Sequence, residues 1–264
     1  MVQGFTEFLP ISSSGHLVLF GHLLGLEEPD LFFDVILHLG TLTAVAILFW
    51  RDIRDMIVAF FRGIAQPARL AETYRNNESF RMAMLIVVGT IPAGLAGVLL
   101  KDRIEALFGS LTAVGFAFLV TGAILISTRI FRSDADKSIL QIGIPAVLFI
   151  GLGQALALTP GISRSGTTIA FALLLGVNRE LAGRFSFLLA IPAILGATIL
   201  QLDSPETAQS GYIPALLTGF AVSVVVGVVA LRVLMGLVKQ GKFFYFAFYI
   251  VPVGLLTLIL SRMN

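Results

Sequence analysis

Four side chains with reactive or charged groups stand in two short stretches that are otherwise apolar or rich in glycine and serine. They are Glu7, Ser13, His16 and Arg164. A serine hydroxyl next to an imidazole can become a nucleophile. A carboxylate can hold a cation or transfer a proton, and a guanidinium can bind two phosphate oxygens at once. These residue types predict a site that handles a phosphate group or a similar anion.

The hydroxyl groups in the two stretches have two interpretations. On a helix that begins near Ser12, His16 follows Ser12 by four residues and Ser13 by three, so the imidazole could meet either hydroxyl. The alternative is that the serines cap helices and the histidine packs in the core. The same choice, phosphate binding or capping, applies to Ser12, Ser14, Ser163, Ser165, Thr167 and Thr168.

Glu7 and Arg164 also have structural alternatives. Glu7 follows Gln3 by four residues, which puts both on one helix face. Together they are candidate metal ligands, and Glu7 alone is a candidate acid or base. An arginine at membrane depth costs about 2.5–3.5 kcal/mol or more, so it needs a partner. That partner is either a substrate phosphate or Glu7 itself. Asp34 and His38 are weaker candidates for the same cavity.

The two stretches are copies of one another. Residues 3–25 align with residues 154–176 at an offset of 151 positions, with nine identical pairs out of 23. The pairs that differ in charge or reactivity are Glu7 with Leu158, Ser13 with Arg164, and His16 with Thr167. The repeat has therefore diverged into two chemically different half-sites.

The composition predicts a membrane protein. Hydrophobic residues make up 57% of the 264-residue chain and charged residues only 13%, against about 25% charged in a soluble domain. A span needs roughly 20 apolar residues, and six stretches qualify: about 31–50, 82–100, 111–131, 183–202, 212–236 and 243–261. There is no cysteine, and the net charge of +2 gives no indication of nucleic-acid binding.

The repeated stretches do not suit simple spans, because each is broken by a Pro/Ser/Gly cluster. Irregular backbone at membrane depth must be buried in protein or line a cavity. We therefore predict two re-entrant hairpins, each a short helix, a polar tip and a second short helix. Ser12 and Ser163 are the predicted N-caps of the outgoing helices. Both helix starts then direct positive dipole ends at one point, which suits an anion.

The distribution of basic residues predicts the topology. The six arginines of the 51–81 loop indicate a cytoplasmic location, whereas the acidic 26–30 loop and the 203–211 loop lack basic residues and should lie outside. The first hairpin then enters from outside and the second from inside, which makes an inverted-topology repeat. We predict one all-α integral membrane domain, 1–264, with six transmembrane helices and the two hairpins.

The repeat boundaries follow from that count. Repeat 1 covers about 1–131, with its re-entrant hairpin at 1–25, and repeat 2 covers about 141–264, with its hairpin at 141–176. The first hairpin begins only two residues before Gln3, so we also expect a lead-in helix upstream of the given sequence.

Four segments resemble one family, the undecaprenyl-diphosphate phosphatases of the bacitracin-resistance type (BacA/UppP). They are GFTEFLPISSSGH (4–16), PGISRSGTT (160–168), FDVILHLGTLTAV (33–45) and FSFLLAIPAILGA (185–197). The resemblance implies a multi-pass hydrolase of the bacterial inner (cytoplasmic) membrane with an outward-facing pocket. It would cleave the polyprenyl diphosphate to supply carrier lipid for peptidoglycan synthesis, and so confer bacitracin resistance. It also implies a divalent cation, Mg²⁺ or Ca²⁺; a homodimer is a further expectation.

The resemblance assigns roles residue by residue. The motif glutamate is Glu7, the serine pair is Ser12 and Ser13, the histidine is His16, and the phosphate-binding arginine is Arg164 between Ser163 and Ser165. This chain has Gln3 where the family allows glutamate or glutamine, so Glu7 would do more of the cation or acid–base work.

Two mechanisms and a second functional class remain open at this point. Ser13 could attack phosphorus with His16 as base, or His16 could activate water or attack phosphorus itself. The other class is a transporter or flippase for a lipid phosphate or another anion, since inverted repeats with broken helices are typical of transporters.

Overall fold

The computed structural model describes residues 1–25, 31–130, 136–201 and 213–263. Within these ranges the protein is helical, and the only β pairing there is an isolated bridge between Lys137 and Val177. The first six α-helices are α1 (Val2–Thr6), α2 (Ser13–Leu23), α3 (Leu31–Leu48), α4 (Trp50–Ile64), α5 (Leu70–Asn76) and α6 (Glu78–Leu99). The others are α7 (Lys101–Phe108), α8 (Leu111–Ile130), α9 (Ile144–Leu156), α10 (Arg164–Leu174), α11 (Arg179–Gln201), α12 (Ile213–Lys239) and α13 (Ala247–Leu260). Short 3₁₀ turns occupy Pro67–Arg69, Ile139–Gln141 and Phe243–Phe246.

In the described part of the chain, five helical segments are long and apolar enough to cross a membrane. They are Glu78–Leu99, Leu111–Arg129, Arg179–Ile199, Ile213–Lys239 and Phe243–Leu260. The sixth predicted span, 31–50, corresponds to α3, which qualifies only together with α4, and the two are bent by 81° at Phe49. An all-α, multi-span membrane protein is therefore confirmed, and its described residues contain five candidate spans, or six if the bent pair counts as one.

The 51–81 segment is mostly helical, not the loop that the sequence predicted. Helix α4 alternates charged residues with apolar ones at helical spacing, so it forms an amphipathic helix, which exposes Trp50, Ile57 and Phe61. Gly63 lets it pack tightly on α6, since a Cβ there would lie 2.3 Å from the Phe80 ring. The segment between the predicted spans 82–100 and 111–131 likewise contains a helix, α7.

The charge count that predicts a cytoplasmic 51–81 segment also predicts the same side for Lys137, Arg184 and Lys239, and these residues gather with that segment at one end of the helix bundle. Asp52 of α4 pairs with Arg184 of α11, and Lys239 of α12 pairs with Glu180 at 2.8 Å. Lys137 donates a hydrogen bond to the Leu175 carbonyl at 2.7 Å. These contacts place the segments on one side of the protein, as the charge count predicts.

Both repeated stretches have the predicted form of two short helices around a tip. Helices α1 and α2 flank the first tip, and α9 and α10 flank the second. Helix α9 has only 13 residues and is too short for a simple span. The N-caps are confirmed: the Ser12 hydroxyl accepts from Gly15 N at 3.3 Å and the Ser163 hydroxyl from Gly166 N at 3.0 Å.

Helix packing follows the repeat. Helix α1 packs on α12 as α9 packs on α6, and α3 packs on α12 as α11 packs on α6. Helix α3 contacts α11 directly, and α8 contacts α13. A two-fold relation that exchanges α1 with α9, α3 with α11 and α6 with α12 would leave this set unchanged. The opposite membrane orientations and the repeat boundaries stay predictions.

Candidate active site

The two hairpin tips touch in the middle of the protein. Gly161 N donates to the Ser12 hydroxyl at 3.1 Å, and a Cβ at Gly15 would lie 2.7 Å from the Gly161 Cα. Thr121 of α8 holds the second tip from behind, since its hydroxyl donates to the Gly161 carbonyl at 2.8 Å and accepts from Ser163 N at 3.0 Å. The contact brings the N-termini of α2 and α10 together, as the sequence predicts.

Glu7 is the centre of the site. Its Oε1 accepts from Arg164 Nη2 at 2.6 Å. Its Oε2 accepts from the Ser13 hydroxyl at 2.7 Å and from Gln3 Nε2 at 3.2 Å. The Glu7 and Arg164 side chains are only 8% and 14% exposed. The ion pair that the sequence allowed as an alternative is therefore present, and it joins the two half-sites.

Ser13 and Arg164 occupy equivalent places, as the first residues of α2 and α10. Both bond to the same carboxylate, Ser13 through one oxygen and Arg164 through the other. The repeat thus presents a hydroxyl from one side and a guanidinium from the other to one carboxylate.

The backbone of the first tip is strained at Ser12, which has φ +66°. In the second tip the positive φ, +99°, falls on Gly161, a residue type that adopts it without cost. The residue equivalent to Gly161 is Pro10, whose ring fixes φ near −65°. The first tip therefore turns two residues later, at a non-glycine residue that costs about 1–3 kcal/mol. Ser13 follows directly.

His16 does not make the serine contact that the sequence suggested. Its Nδ1 lies 2.8 Å from the Ser12 backbone carbonyl and its Nε2 lies 3.0 Å from the Tyr249 hydroxyl. At the start of a helix, a side chain four residues after the N-cap can reach back to the N-cap carbonyl, so the carbonyl takes the place of the hydroxyl. The Ser13 hydroxyl turns to Glu7 instead.

Tyr249 is the site residue that sequence reasoning missed. It lies in α13, a segment interpreted only as a span, and 233 residues separate it from His16. No motif or spacing in the sequence links the two.

His38 borders the site. Its Nδ1 lies 2.8 Å from the Asp34 backbone carbonyl, and its Nε2 lies 3.7 Å from Glu7 Oε2. The imidazole is one-third exposed. Of the two weaker candidates on α3, the imidazole is the group that reaches the carboxylate.

Most of the other hydroxyls have protein partners, and the buried Thr167 hydroxyl has none among the described residues. Ser14 Oγ lies 3.3 Å from Ser12 Oγ, and Ser163 Oγ lies 3.3 Å from Ser165 Oγ. Thr168 donates to the Arg164 carbonyl at 2.8 Å. Ser163, Ser165 and Thr168 are buried, so their geometry matches the capping and packing alternative. Phosphate binding by these residues stays a prediction.

Two of the unpartnered buried polar atoms belong to residues that bond Glu7, and they are available for a ligand. Among the described residues, Gln3 Oε1 and Arg164 Nη1 have no hydrogen-bond partner. Nη1 can only donate, which suits a phosphate oxygen. An amide oxygen beside a carboxylate suits Mg²⁺ or Ca²⁺ when phosphate and water complete the coordination. The described part of the chain has no group of three or more His, Asp or Glu residues that could hold a metal. Gln3 and Glu7 therefore fit a cation shared with substrate, not one in a closed protein cage.

Comparison with known proteins agrees with the geometry. The family described as bacitracin resistance protein BacA matches residues 1–256. The undecaprenyl-diphosphatase of Desulforapulum autotrophicum is 44% identical over 262 residues, covering 98% of this chain and 95% of the relative. The undecaprenyl-diphosphatase of Desulfosudis oleivorans is 46% identical over 260 residues, covering 98% and 94%. That of Methanosphaera stadtmanae is 44% identical over 264 residues, covering 98% and 95%. The chain belongs to the bacitracin resistance protein BacA family.

Proposed function

We propose that this protein is an undecaprenyl-diphosphatase, which hydrolyses undecaprenyl diphosphate to undecaprenyl phosphate and inorganic phosphate. Family membership and the names of its relatives support the activity. The observation that carries the proposal is the hydrogen bond of 2.7 Å from the Ser13 hydroxyl to Glu7, with Arg164 on the other carboxylate oxygen. The Ser13 hydroxyl and the Arg164 guanidinium, which would bind phosphate, thus both bond the Glu7 carboxylate, which can accept a proton. The product would be the carrier lipid used again in peptidoglycan synthesis, which links the activity to bacitracin resistance.

Arg164 would change partner when the diphosphate enters between the tips. Its free Nη1 and the Nη2 now bound to Glu7 form the fork that binds two phosphate oxygens. The starts of α2 and α10 add their positive dipole ends. Phosphoryl transfer depends mainly on such positioning and charge neutralisation.

Glu7, and not His16, would be the base. It takes the Ser13 proton as Ser13 Oγ forms a bond to the terminal phosphorus, and the bond from that phosphorus to the bridging oxygen breaks. Undecaprenyl phosphate leaves with the bridging oxygen. Water then attacks the phosphorus of the phosphoserine, the bond from phosphorus to Ser13 Oγ breaks, and Glu7 returns its proton to Oγ. Inorganic phosphate leaves with the oxygen of the water, and the Ser13 hydroxyl and the Glu7 carboxylate are restored. The two ring nitrogens of His16 face the Ser12 carbonyl and Tyr249, which supports Glu7 over His16 as the base.

A divalent cation belongs to the same proposal. Gln3 Oε1 and Glu7 would hold it together with the substrate phosphates. When bound, such an ion supplies charge neutralisation at the diphosphate. Mg²⁺ and Ca²⁺ both suit these oxygen ligands.

The prenyl chain would lie against the apolar surface around the first hairpin. Helix α2 exposes Phe20, Leu23 and Leu24, which in a bilayer face either lipid or an isoprenoid chain. The proposal also includes the surroundings of the protein. The protein would lie in the bacterial cytoplasmic membrane with its pocket facing outward, and it would form a homodimer there.

The test is release of phosphate from undecaprenyl diphosphate by protein purified in detergent. We expect release that depends on Mg²⁺ or Ca²⁺ and stops with EDTA. A transporter or flippase needs the anion site but no hydroxyl bonded to a carboxylate, so the Ser13–Glu7 contact favours the enzyme. Lipid movement in vesicles without phosphate release, from protein of unchanged thermal stability, would overturn the proposal.

A further inference from the structure

We propose that Tyr249 is a positioning residue that holds His16 in a single tautomer and, through His16, fixes the backbone of the first tip. This inference rests on the proposed role of Ser13. It assigns a function to the last helix of the described chain, α13, which the motifs of the two hairpins do not include.

The contact between the two side chains is specific. The Tyr249 hydroxyl lies 3.0 Å from His16 Nε2. The two rings are stacked, with centroids 5.8 Å apart and planes 8° apart. Phe118 of α8 packs on His16 as well, with ring centroids 5.1 Å apart. His16 is only 2% exposed, so few other orientations are open to it.

The partners determine where the proton lies. The Ser12 carbonyl can only accept a hydrogen bond, so Nδ1 carries the hydrogen. In a neutral imidazole Nε2 is then an acceptor, and the Tyr249 hydroxyl donates to it. The Ser12 carbonyl therefore selects the Nδ1–H tautomer, and Tyr249 stabilises this tautomer by donating its hydroxyl hydrogen to Nε2.

The orientation of the Ser12 carbonyl affects the position of the next residue, Ser13. Ser12 has φ +66°, and the residue after it is Ser13. The Ser12 hydroxyl accepts from Gly15 N in its own tip and from Gly161 N in the other, so it joins the two tips. An imidazole that bonds this carbonyl stabilises the strained turn. Because Ser13 follows the turn directly, the same bond keeps the Ser13 hydroxyl directed towards Glu7.

The second tip explains why only one repeat has this device. There, the positive φ of +99° falls on Gly161, which needs no support. The residue equivalent to His16 is Thr167, which has no ring to reach a carbonyl. The imidazole and its tyrosine partner thus accompany the strained serine.

The kinetic test uses Tyr249→Phe, which keeps the stacked ring and removes the hydroxyl. Loss of one hydrogen bond predicts a fall in kcat of about 2- to 12-fold. KM should not change, because Tyr249 acts through His16 and not on the substrate. Tyr245→Phe is the matched control: it is an exposed tyrosine one turn earlier that stacks on Phe244, and kcat should not change. A rise in KM with kcat unchanged would overturn the inference, since Tyr249 would then contact the substrate.

The spectroscopic test uses protein labelled with ¹⁵N-histidine. The sequence contains three histidines, so the spectrum is simple. The spectrum of His16→Gln assigns the His16 signals by their loss. In the wild type we expect a protonated Nδ1 and an unprotonated, hydrogen-bonded Nε2. Tyr249→Phe should shift the Nε2 signal or mix the two tautomers, and Tyr245→Phe should leave it unchanged.

The outcomes separate this inference from the proposed function. An Nε2–H tautomer in the wild type would refute the inference, as would a His16 spectrum unchanged in Tyr249→Phe, even if phosphate release is normal. Conversely, absence of phosphate release would remove the proposed function while leaving the His16 tautomer measurable.

Discussion

At the scale of single residues, the site depends on which partner each polar group has. Glu7 binds a hydroxyl through one oxygen and a guanidinium through the other. A buried ion pair of this kind is weak evidence for stability, because desolvation offsets the attraction. Its position where a repeat has diverged into unlike halves indicates function instead. The guanidinium is held at the site before any phosphate arrives.

Ser13→Ala should abolish most of the phosphatase activity, because it removes the attacking oxygen and leaves the binding groups in place. For a nucleophile we expect kcat to fall by roughly 10³-fold or more, as in other enzymes with a serine nucleophile. The measurement is phosphate release at saturating substrate.

The control for that variant is Ser127→Ala. Among the described residues, the Ser127 hydroxyl bonds only its own helix backbone in α8, at 2.6 Å from the Ile124 carbonyl. It should keep normal activity. If Ser13→Ala retains activity within a few-fold of the wild type, water or another group is the nucleophile.

At the scale of elements, the two hairpins bring four short helices to one point. Neither hairpin crosses the protein alone, and each presents the N-terminus of an 11-residue helix at its tip. The caps satisfy backbone N–H groups near these termini and define where the helices start. Glycines at the tips allow the two backbones to approach. The geometry of the site is therefore a property of the contact between the tips.

Gly161→Ala should separate the tips. Gly161 has φ +99°, and a Cβ there would lie 2.7 Å from both the Ala117 Cβ and the Val114 carbonyl. The backbone conformation alone costs about 1–3 kcal/mol for a non-glycine residue. We expect a lower melting temperature and a large loss of kcat.

Gly21→Ala is the matched control. Gly21 lies in α2, and a Cβ there would meet nothing within 4 Å. Alanine favours helix by about 1 kcal/mol over glycine, so stability should hold or rise slightly with unchanged activity. Full stability and activity in Gly161→Ala would show that the tip contact is not required.

At the scale of the whole molecule, basic and acidic residues mark one end of the bundle. Ion pairs join α4 to α11 and α11 to α12 at that end. The bend of 81° after α3 turns α4 away from the direction of α3, with Trp50 exposed at its start. An amphipathic helix in that place suits the surface of a membrane. The charge distribution predicts that this end faces the cytoplasm.

The absence of native cysteine makes the orientation directly measurable by single-cysteine labelling. Gln240→Cys, just after α12, should react with a membrane-impermeant thiol reagent only after the cells are permeabilised. Gly109→Cys, between α7 and α8, should react in intact cells. The reverse pattern would invert the proposed topology, and equal labelling of both sites in intact cells would refute a fixed orientation.

Much of the fold could be predicted from the sequence, because the signals involved are local. Apolar runs marked the spans, Pro/Ser/Gly clusters marked the breaks, and Ser12 and Ser163 marked the helix starts. The 51–81 segment was predicted wrongly as a loop. Its many charged residues suggested a loop, although its apolar residues recur at the helical spacing that makes α4 amphipathic.

The sequence by itself identified three members of the candidate site, Glu7, Ser13 and Arg164, since they are unlike polar residues at or near matching positions of an internal repeat. It did not identify Tyr249. Only the tertiary structure decided their pairing. Ser13 bonds Glu7, while His16 bonds the Ser12 carbonyl and Tyr249. The choice depends on a strained turn at Ser12 and on helix α13 packing against α8. The turn at Ser12 follows locally from Pro10, whereas the contact of α13 with His16 leaves no pattern in residue spacing because 233 residues separate Tyr249 from His16.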